Sequence, residues 1–460
     1  MAQAKAKPAA GADAAEEKTP EPVESIFEIY RKAYLEKKNR TAVVMANPND
    51  APPEAVEYFG IATLLSAADP KEAILKALKI PEPIVIKAED GNAGKYDKHF
   101  DAVTSLRLSL DGQMVLSGSA DKTAHLWNLN DKKTIRIYQD EMNHKQGVTD
   151  VEFSPDNRFV LTSSYDQTIR LWNTRTGKNT KAFTGSKDRV WAIGVPMNGL
   201  IVAGGCNDGK IYFWNSSSIK RLGELTGHAG PVFSLEFTLD GTRLVSASAD
   251  FTARIWDVIN GEELLALAGH SDKVYSACFS IDGQYVVTAS RDKSARLWDA
   301  ATGDELCRFV GHKGAVRKAF IFGPLVVSCG DDGTIRFWLP NLGKGKKMNV
   351  GTRARGGARN AEDYLAGMRE GGPDTGKEED PLKKKKKVET IGPLKRPVGM
   401  PKGYEIARIE GPSTAILDLI PTMDGKRLIG ACMDGVVRIW NLPAIPMLEE
   451  KKPKENGPVQ

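Results

Sequence analysis

From about residue 84 to residue 442 the chain consists of short apolar runs, each bounded by a turn signal. Runs such as Val103–Leu108 read as apolar strands. The turns between runs include Asp111-Gly112, Asp156-Asn157, Asp240-Gly241, Asp282-Gly283 and Asp424-Gly425. Such pairs accept the backbone that a tight hairpin requires. A tryptophan ends every third run: Trp127, Trp172, Trp214, Trp256, Trp298, Trp338 and Trp440. Successive separations are 45, 42, 42, 42, 40 and 102 residues. A repeat of this length cannot bury its own apolar face and must stack on its neighbours.

The long separation has an internal explanation. Gly403–Gly411 aligns with Gly303–Gly311, the polar outer run of the preceding repeat. The outer strand of the sixth repeat is therefore expected at about 404–410, after an insertion of 62 residues, 341–402. Removing it restores a period of 102 − 62 = 40. The insert carries 16 Lys+Arg against 8 Asp+Glu and almost no aromatics, which reads as a disordered basic loop.

Ahead of the repeats, residues 1–22 are of low complexity and read as disordered. A helical extension is expected over 23–80. Val23, Ile26, Phe27, Tyr30 and Tyr34 form one apolar stripe there, and Asp69, Pro70 and Glu72 suit a helix start. The seventh repeat lacks a good fourth strand, because Pro443 and Pro446 follow Trp440, so 443–460 reads as a disordered tail. Ile84–Lys87 is expected to supply the missing strand and close a ring. The extension, the insert and the tail would then gather at one end of blades six and seven.

Composition narrows the class. The net charge is +5 over 460 residues, with 44 glycines. The five cysteines, Cys206, Cys278, Cys307, Cys329 and Cys432, form no CxxC pair, so neither a disulfide framework nor a metal site is expected. The N-terminus has no apolar core of a signal peptide, and no apolar run is long enough to span a membrane. The expectation is a soluble cytoplasmic protein. Pro381–Val388, with Lys383, Lys384, Lys385, Lys386 and Lys387, resembles a nuclear import signal and would suit a host with a nucleus. Neither a phosphate-binding loop nor a dinucleotide fingerprint is found, and no cofactor is expected.

Gly227-His228, Ser246, Asp250 and Arg254-Ile255-Trp256-Asp257 make the clearest copy of the repeat. With Gly-His at one end and Trp-Asp at the other, the sequence resembles the WD40-repeat family of seven-bladed β-propellers. The fold class expected is all-β, one propeller over 84–442.

The resemblance implies that Trp, Ser/Thr, His and Asp form a hydrogen-bond relay inside each blade. The sets would be His99, Ser117, Asp121, Trp127; His144, Thr162, Asp166, Trp172; His228, Ser246, Asp250, Trp256; His270, Thr288, Asp292, Trp298; and His312, Ser328, Asp332, Trp338. Blade three has Ser186 and Gly204, and blade seven Pro412 and Gly430, so relays are not expected there. Five copies of one constellation argue against catalysis. His125 is the one spare histidine, expected on a third strand.

The resemblance also implies that the face carrying the His and Asp loops docks partners. Tyr165, Arg189, Trp191, Phe233, Lys273, Tyr275, Arg291 and Arg317 fall at its variable positions. Clustered aromatics with arginine are hot-spot chemistry. The expected function is a non-enzymatic scaffold, monomeric within a complex, for protein or peptide partners. The alternative is a nucleic-acid- or ribosome-associated factor binding through the insert, with Lys383–Lys387 on phosphates.

Overall fold

The computed structural model describes residues 84–87, 92–95, 99–139, 144–323, 325–340, 402–412 and 414–442. The expected helical extension, the basic insert with Lys383–Lys387 and the tail lie outside the described residues. Seven sheets are present, antiparallel but for one added edge strand, and no helix occurs among the described residues. Blade one runs Val103–Leu108, Met114–Ser119, Ala124–Asn128 and Thr134–Tyr138, in that order from the inner edge outward. Each first strand adjoins the first strand of the next blade, and that of blade seven, Ile416–Pro421, adjoins that of blade one. The architecture is a closed seven-bladed propeller.

The core lies between blades rather than within them. Trp172 of blade two packs on Leu116, Leu126 and Tyr138 of blade one. Trp127 of blade one packs on Ile429, Val437 and Ile439 of blade seven. All seven repeat tryptophans are at most 2% exposed. A blade removed from the ring would expose such a ring system, so the blades stabilise one another. Cys206, Cys278, Cys307, Cys329 and Cys432 are buried free thiols in these layers.

Ring closure differs from the expectation. Ile84–Lys87 pairs parallel to Tyr404–Glu410, with Ile84 opposite Ala407 and Lys87 opposite Glu410. It is a fifth strand on the outer edge of blade six. The fourth strand of blade seven is instead Asn92–Lys95, antiparallel to Val437–Asn441 with Asn92 opposite Trp440. Spacing explains the choice. In blades two to six the outer-strand residue opposite the tryptophan stands seven positions before the His or its substitute, as with Glu263 and His270, Glu305 and His312, Glu405 and Pro412; in blade one the distance from Thr134 to His144 is ten. Asn92 stands seven before His99. Ile84–Val85–Ile86 has the stronger strand pattern, but a blade's outer strand faces water and needs no apolar run. The extra strand covers the free edge that blade six would otherwise present.

Two N-terminal deletions separate these roles. A chain starting at Ala88 keeps the closing strand and should lose little thermal stability. One starting at Tyr96 leaves blade seven open and should melt lower by on the order of 10 °C. Equal melting temperatures for the two would mean that Asn92–Lys95 does not close the ring.

Candidate functional site

The relay residues occupy equivalent places in five blades. In blade one the Trp127 indole donates to Ser117 Oγ at 2.8 Å, Ser117 meets His99 Nε2 at 2.8 Å, and His99 Nδ1 meets Asp121 at 2.9 Å. In blade two the distances through Trp172, Thr162, His144 and Asp166 are 2.9, 2.7 and 2.8 Å. In blade four, Trp256, Ser246, His228 and Asp250 give 2.8, 2.7 and 2.8 Å. In blade five, Trp298, Thr288, His270 and Asp292 give 2.9, 2.8 and 2.8 Å. In blade six, Trp338, Ser328, His312 and Asp332 give 2.8, 2.8 and 2.9 Å. An indole N–H can only donate, so it takes the hydroxyl's lone pair and sends the hydroxyl proton to imidazole Nε2. The imidazole is thereby held as the Nδ1–H tautomer and donates to the carboxylate.

The chain extends further than the sequence pattern indicated. Each turn aspartate also accepts from a hydroxyl two residues on: Thr123, Thr168, Thr252, Ser294 and Thr334 at 2.6–2.8 Å. The backbone amide after each histidine is a further donor, as from Phe100 to Asp121 at 3.0 Å. Burial alone would raise these carboxyls, but the bonds from histidine and hydroxyl hold all five well below the usual carboxylate range. The relay hydroxyls of Ser117, Thr162, Ser246, Thr288 and Ser328 belong to residues at most 1% exposed and are engaged by both tryptophan and histidine. A buried, doubly bonded hydroxyl cannot act as a nucleophile.

Blade three solves the same problem otherwise, and blade seven shares its glycine. The Trp214 indole donates to the Thr184 carbonyl at 2.8 Å. A Cβ at Gly204 would meet Trp214 at 2.9 Å, and one at Gly430 would meet Trp440 at 2.5 Å. In both blades the ring occupies the space that a serine would need. Ser186 donates to the Gln167 carbonyl at 2.6 Å instead of entering a relay.

The docking residues are brought together by a feature absent from the sequence reading. Every first strand carries a bulge one residue after its opening Val or Ile, as between Val190 and Ala192 or Val274 and Ser276. The extra residue is Thr104, Thr149, Trp191, Phe233, Tyr275, Arg317 or Leu417. A bulge re-aims its side chain and breaks the strict alternation. Four rings thus meet in a continuous crescent. Tyr165 and Trp191 stand edge to face at 5.0 Å, as do Trp191 and Phe233 at 5.1 Å, while Phe233 and Tyr275 are tilted at 5.7 Å. Arg317 caps Tyr275 at 4.4 Å and is clamped by Asp331 at 2.6 and 2.9 Å. Arg189 lies over Tyr165 at 5.8 Å. Arg291 is near Asp272 at 3.8 Å, and its amide bonds the Lys273 carbonyl at 2.9 Å. None of the four rings is buried.

On the same side of the molecule are three exposed residues that the variable-position rule missed. Phe100 is 97% exposed in the loop after His99, and Met433 is 59% exposed before the Asp434 turn. Phe251 is 44% exposed with a φ of 73°, where blades three, six and seven place glycine. An aromatic residue held in that backbone region stores strain, of order 1 kcal/mol.

Below the crescent, side chains satisfy the unpaired inner edges of the first strands. Asp150 accepts the Ile193 amide of blade three at 2.9 Å, and Asp418 of blade seven accepts the Leu106 amide of blade one at 2.9 Å. Glu236 accepts the Phe279 amide at 3.2 Å, and burial raises its carboxyl. Arg107 bonds Glu152 at 2.8 Å and stands 3.5 and 3.6 Å from Asp150 and Asp418. Burial opposes its charge, yet Asp150, Glu152 and Asp418 hold it well above its ordinary value. These contacts tie blade seven to blade one and blade two to blade three.

His125 sits on the third strand of blade one, stacked on His99 with centroids 3.8 Å apart. It lies near His99 and Asp121, with Nδ1 buried and unpartnered. Burial first, then the neighbouring His99, pushes its imidazole down to about 3.

Two stability predictions follow from the relays and His125. Asp250→Ala leaves the buried His228 donor without an acceptor and should cost roughly 1–3 kcal/mol in urea unfolding. Asp434→Ala should cost less, because Asp434 bonds the partly exposed Arg438 and the Val436 amide and leaves no buried histidine behind. Equal losses would contradict a stabilising relay.

Acid should act in two windows. His125 is neutral when folded and protonates near 6.5 when unfolded, so its contribution is lost as pH falls from about 6.5 toward 3. The depressed relay aspartates lose theirs as pH falls below about 4. In His125→Gln, the decline of the urea midpoint between pH 6.5 and 4.5 should be shallower, while the decline below 4 remains. An unchanged upper decline would exclude a neutral buried His125.

The WD domain, G-beta repeat family model matches residues 92–128, 133–173, 177–215, 219–257, 261–299, 303–338 and 403–441, more than half of the chain. No characterised protein taken singly matches the sequence. The first matched segment begins at Asn92, the start of the closing strand, and each match includes one repeat tryptophan. With seven such matches, five buried relays and a closed ring of seven sheets, the chain belongs to the WD-repeat family of β-propellers.

Proposed function

We propose that this protein is a non-enzymatic scaffold that docks a protein or peptide partner on the crescent of Tyr165, Trp191, Phe233 and Tyr275. WD-repeat propellers are generally protein-interaction scaffolds. The observation that carries the finer reading is the bulge, which turns three consecutive aromatics out of the blade packing and into contact with one another. Aromatic rings half-open to water, with Arg189 and Arg317 on their faces, offer large contact area at low entropic cost. Lys273 and Arg291 flank Tyr275 on the next loops and contribute charge at the rim. The relay constellation supplies no reactive group, because its hydroxyls are buried and spent on tryptophan and histidine. This reading keeps the protein in the cytoplasm, working as one propeller within a larger complex.

Trp191→Ala, Phe233→Ala and Tyr275→Ala test it. Each should weaken capture of the partner by roughly 30-fold or more, the loss of one hot spot. Each should shift the melting temperature by only a few degrees, since no full core cavity opens. Loss of folding in all three would make the rings part of the core instead of a docking surface.

A further inference from the structure

The third strands of blades four, five and six share an ion pair that no sequence motif announced. Two residues before the tryptophan stands an arginine, and its Nη1 meets a glutamate on the outer strand. Arg254 pairs with Glu263, Arg296 with Glu305 at 2.7 Å, and Arg336 with Glu405 at 2.6 Å. Each glutamate is the residue opposite the tryptophan in the ladder: Glu263 opposite Trp256, Glu305 opposite Trp298, Glu405 opposite Trp338. The same arginines reach the turn aspartate of their own relay at 3.9, 3.5 and 3.7 Å.

Blade two has the arginine without the glutamate. Arg170 is 9% exposed, and its Nη1 is buried with no partner. The ladder position opposite Trp172 holds Asn179. A guanidinium with its charge buried and unmatched is costly unless an anion meets it. Three sister blades show what fits there: one carboxylate, lying against Nη1 above the tryptophan edge. That carboxylate is 32% exposed in blade four, 7% in blade five and 13% in blade six, so the place lies just beneath the surface.

The surroundings point to the same ligand chemistry. From Gln167 to Lys187, blade two carries Arg170, Arg175, Lys178, Lys181 and Lys187 and no acidic residue. Arg175 and Lys178 are exposed and have no ion pair among the described residues, and Lys187 is exposed beside Glu224 of blade three, whose carboxyl it helps to lower. The corresponding stretch of blade four includes Asp257, Glu262 and Glu263, and that of blade five Asp299, Asp304 and Glu305. The strip continues into an open groove of about 660 Å³ between blades one and two, edged by Arg136, Arg158 and Arg175. The outer strand of blade two, Asn179–Phe183, ends its sheet with a free edge.

We propose that the outer wall of blade two binds an acidic polypeptide segment, with one of its carboxylates on Arg170. The ligand takes the position that Glu263, Glu305 and Glu405 occupy in blades four, five and six, and its other acidic residues face Arg175, Lys178 and Lys187. This surface is separate from the aromatic crescent, so either can fail without the other.

The test measures binding of a fluorescein-labelled hexaglutamate peptide to the full chain by anisotropy at low salt, with hexalysine as control. Hexaglutamate should bind and hexalysine should not. Asn179→Glu puts the sister-blade carboxylate into the slot. It should raise the melting temperature and weaken hexaglutamate binding by roughly tenfold, the worth of one charge-assisted contact. Arg170→Gln should weaken binding equally without lowering the melting temperature. Unchanged binding in both variants would assign the peptide to other basic segments and overturn the proposal. The chain's own Asp140 and Glu141, which lie outside the described residues, provide the last arm. If Asp140→Asn/Glu141→Gln lowers the melting temperature and Asn179→Glu restores it, the slot is filled internally and the proposal also falls.

Discussion

The interaction on which the rest depends is the satisfaction of a buried indole N–H. Each blade seals its seam with a tryptophan from its third strand, because only a side chain of that size fills the wedge between adjacent sheets. Burying the ring buries a donor that cannot be left unpaired without cost. A serine or threonine on the second strand accepts it, and the demand passes to a histidine in the incoming loop and an aspartate in the turn. One polar atom therefore fixes the relative positions of two strands, a loop and a turn. Blades three and seven show that the demand precedes the solution: where glycine makes room for the ring, blade three hands its indole to the Thr184 carbonyl instead.

The ring adds a second constraint. First strands lie side by side around the centre, and each has an edge with no sheet partner. Carboxylates and hydroxyls from neighbouring blades take those amides, as Asp418 takes that of Leu106 across the point where the ring closes. Closure is thus held twice, by the Asn92–Lys95 ladder at the rim and by Asp418 and Arg107 at the centre. The mouth above is left to residues that no blade needs for packing, and those vary from Thr104 to Arg317.

The relay members and the blade boundaries were legible because tryptophan, histidine and glycine recur at fixed spacing. The displaced outer strand of blade six was legible for the same reason, through the likeness of Gly403–Gly411 to Gly303–Gly311. The closing strand was misread, since Ile84–Val85–Ile86 has the stronger strand pattern and Asn92–Lys95 almost none. Only the seven-residue distance to His99, plain once the ladders are known, singles out Asn92. The bulges went unread although each one breaks the alternation: Val103 and Leu106 stand three apart where Leu106 and Leu108 stand two apart, and a run of six residues gives one such break no context. Nor could the arginine–glutamate pairs be read, whose members stand 9 residues apart in blades four and five and 69 apart in blade six and look like ordinary surface charge.

The central claim divides the tryptophans into a structural set and one that faces partners. Hydrogen exchange of the indole N–H groups, followed by NMR on protein with 15N-labelled tryptophan, addresses that division directly for seven of the eight tryptophans, Trp440 being left aside. The account predicts that Trp127, Trp172, Trp214, Trp256, Trp298 and Trp338 exchange only by global opening. Trp191, whose indole reaches Asn207 at 3.1 Å on the half-open crescent, should exchange within minutes and be the resonance that moves on adding a partner. Protection of Trp191 equal to the others, or a relay indole exchanging as fast as Trp191, would contradict it.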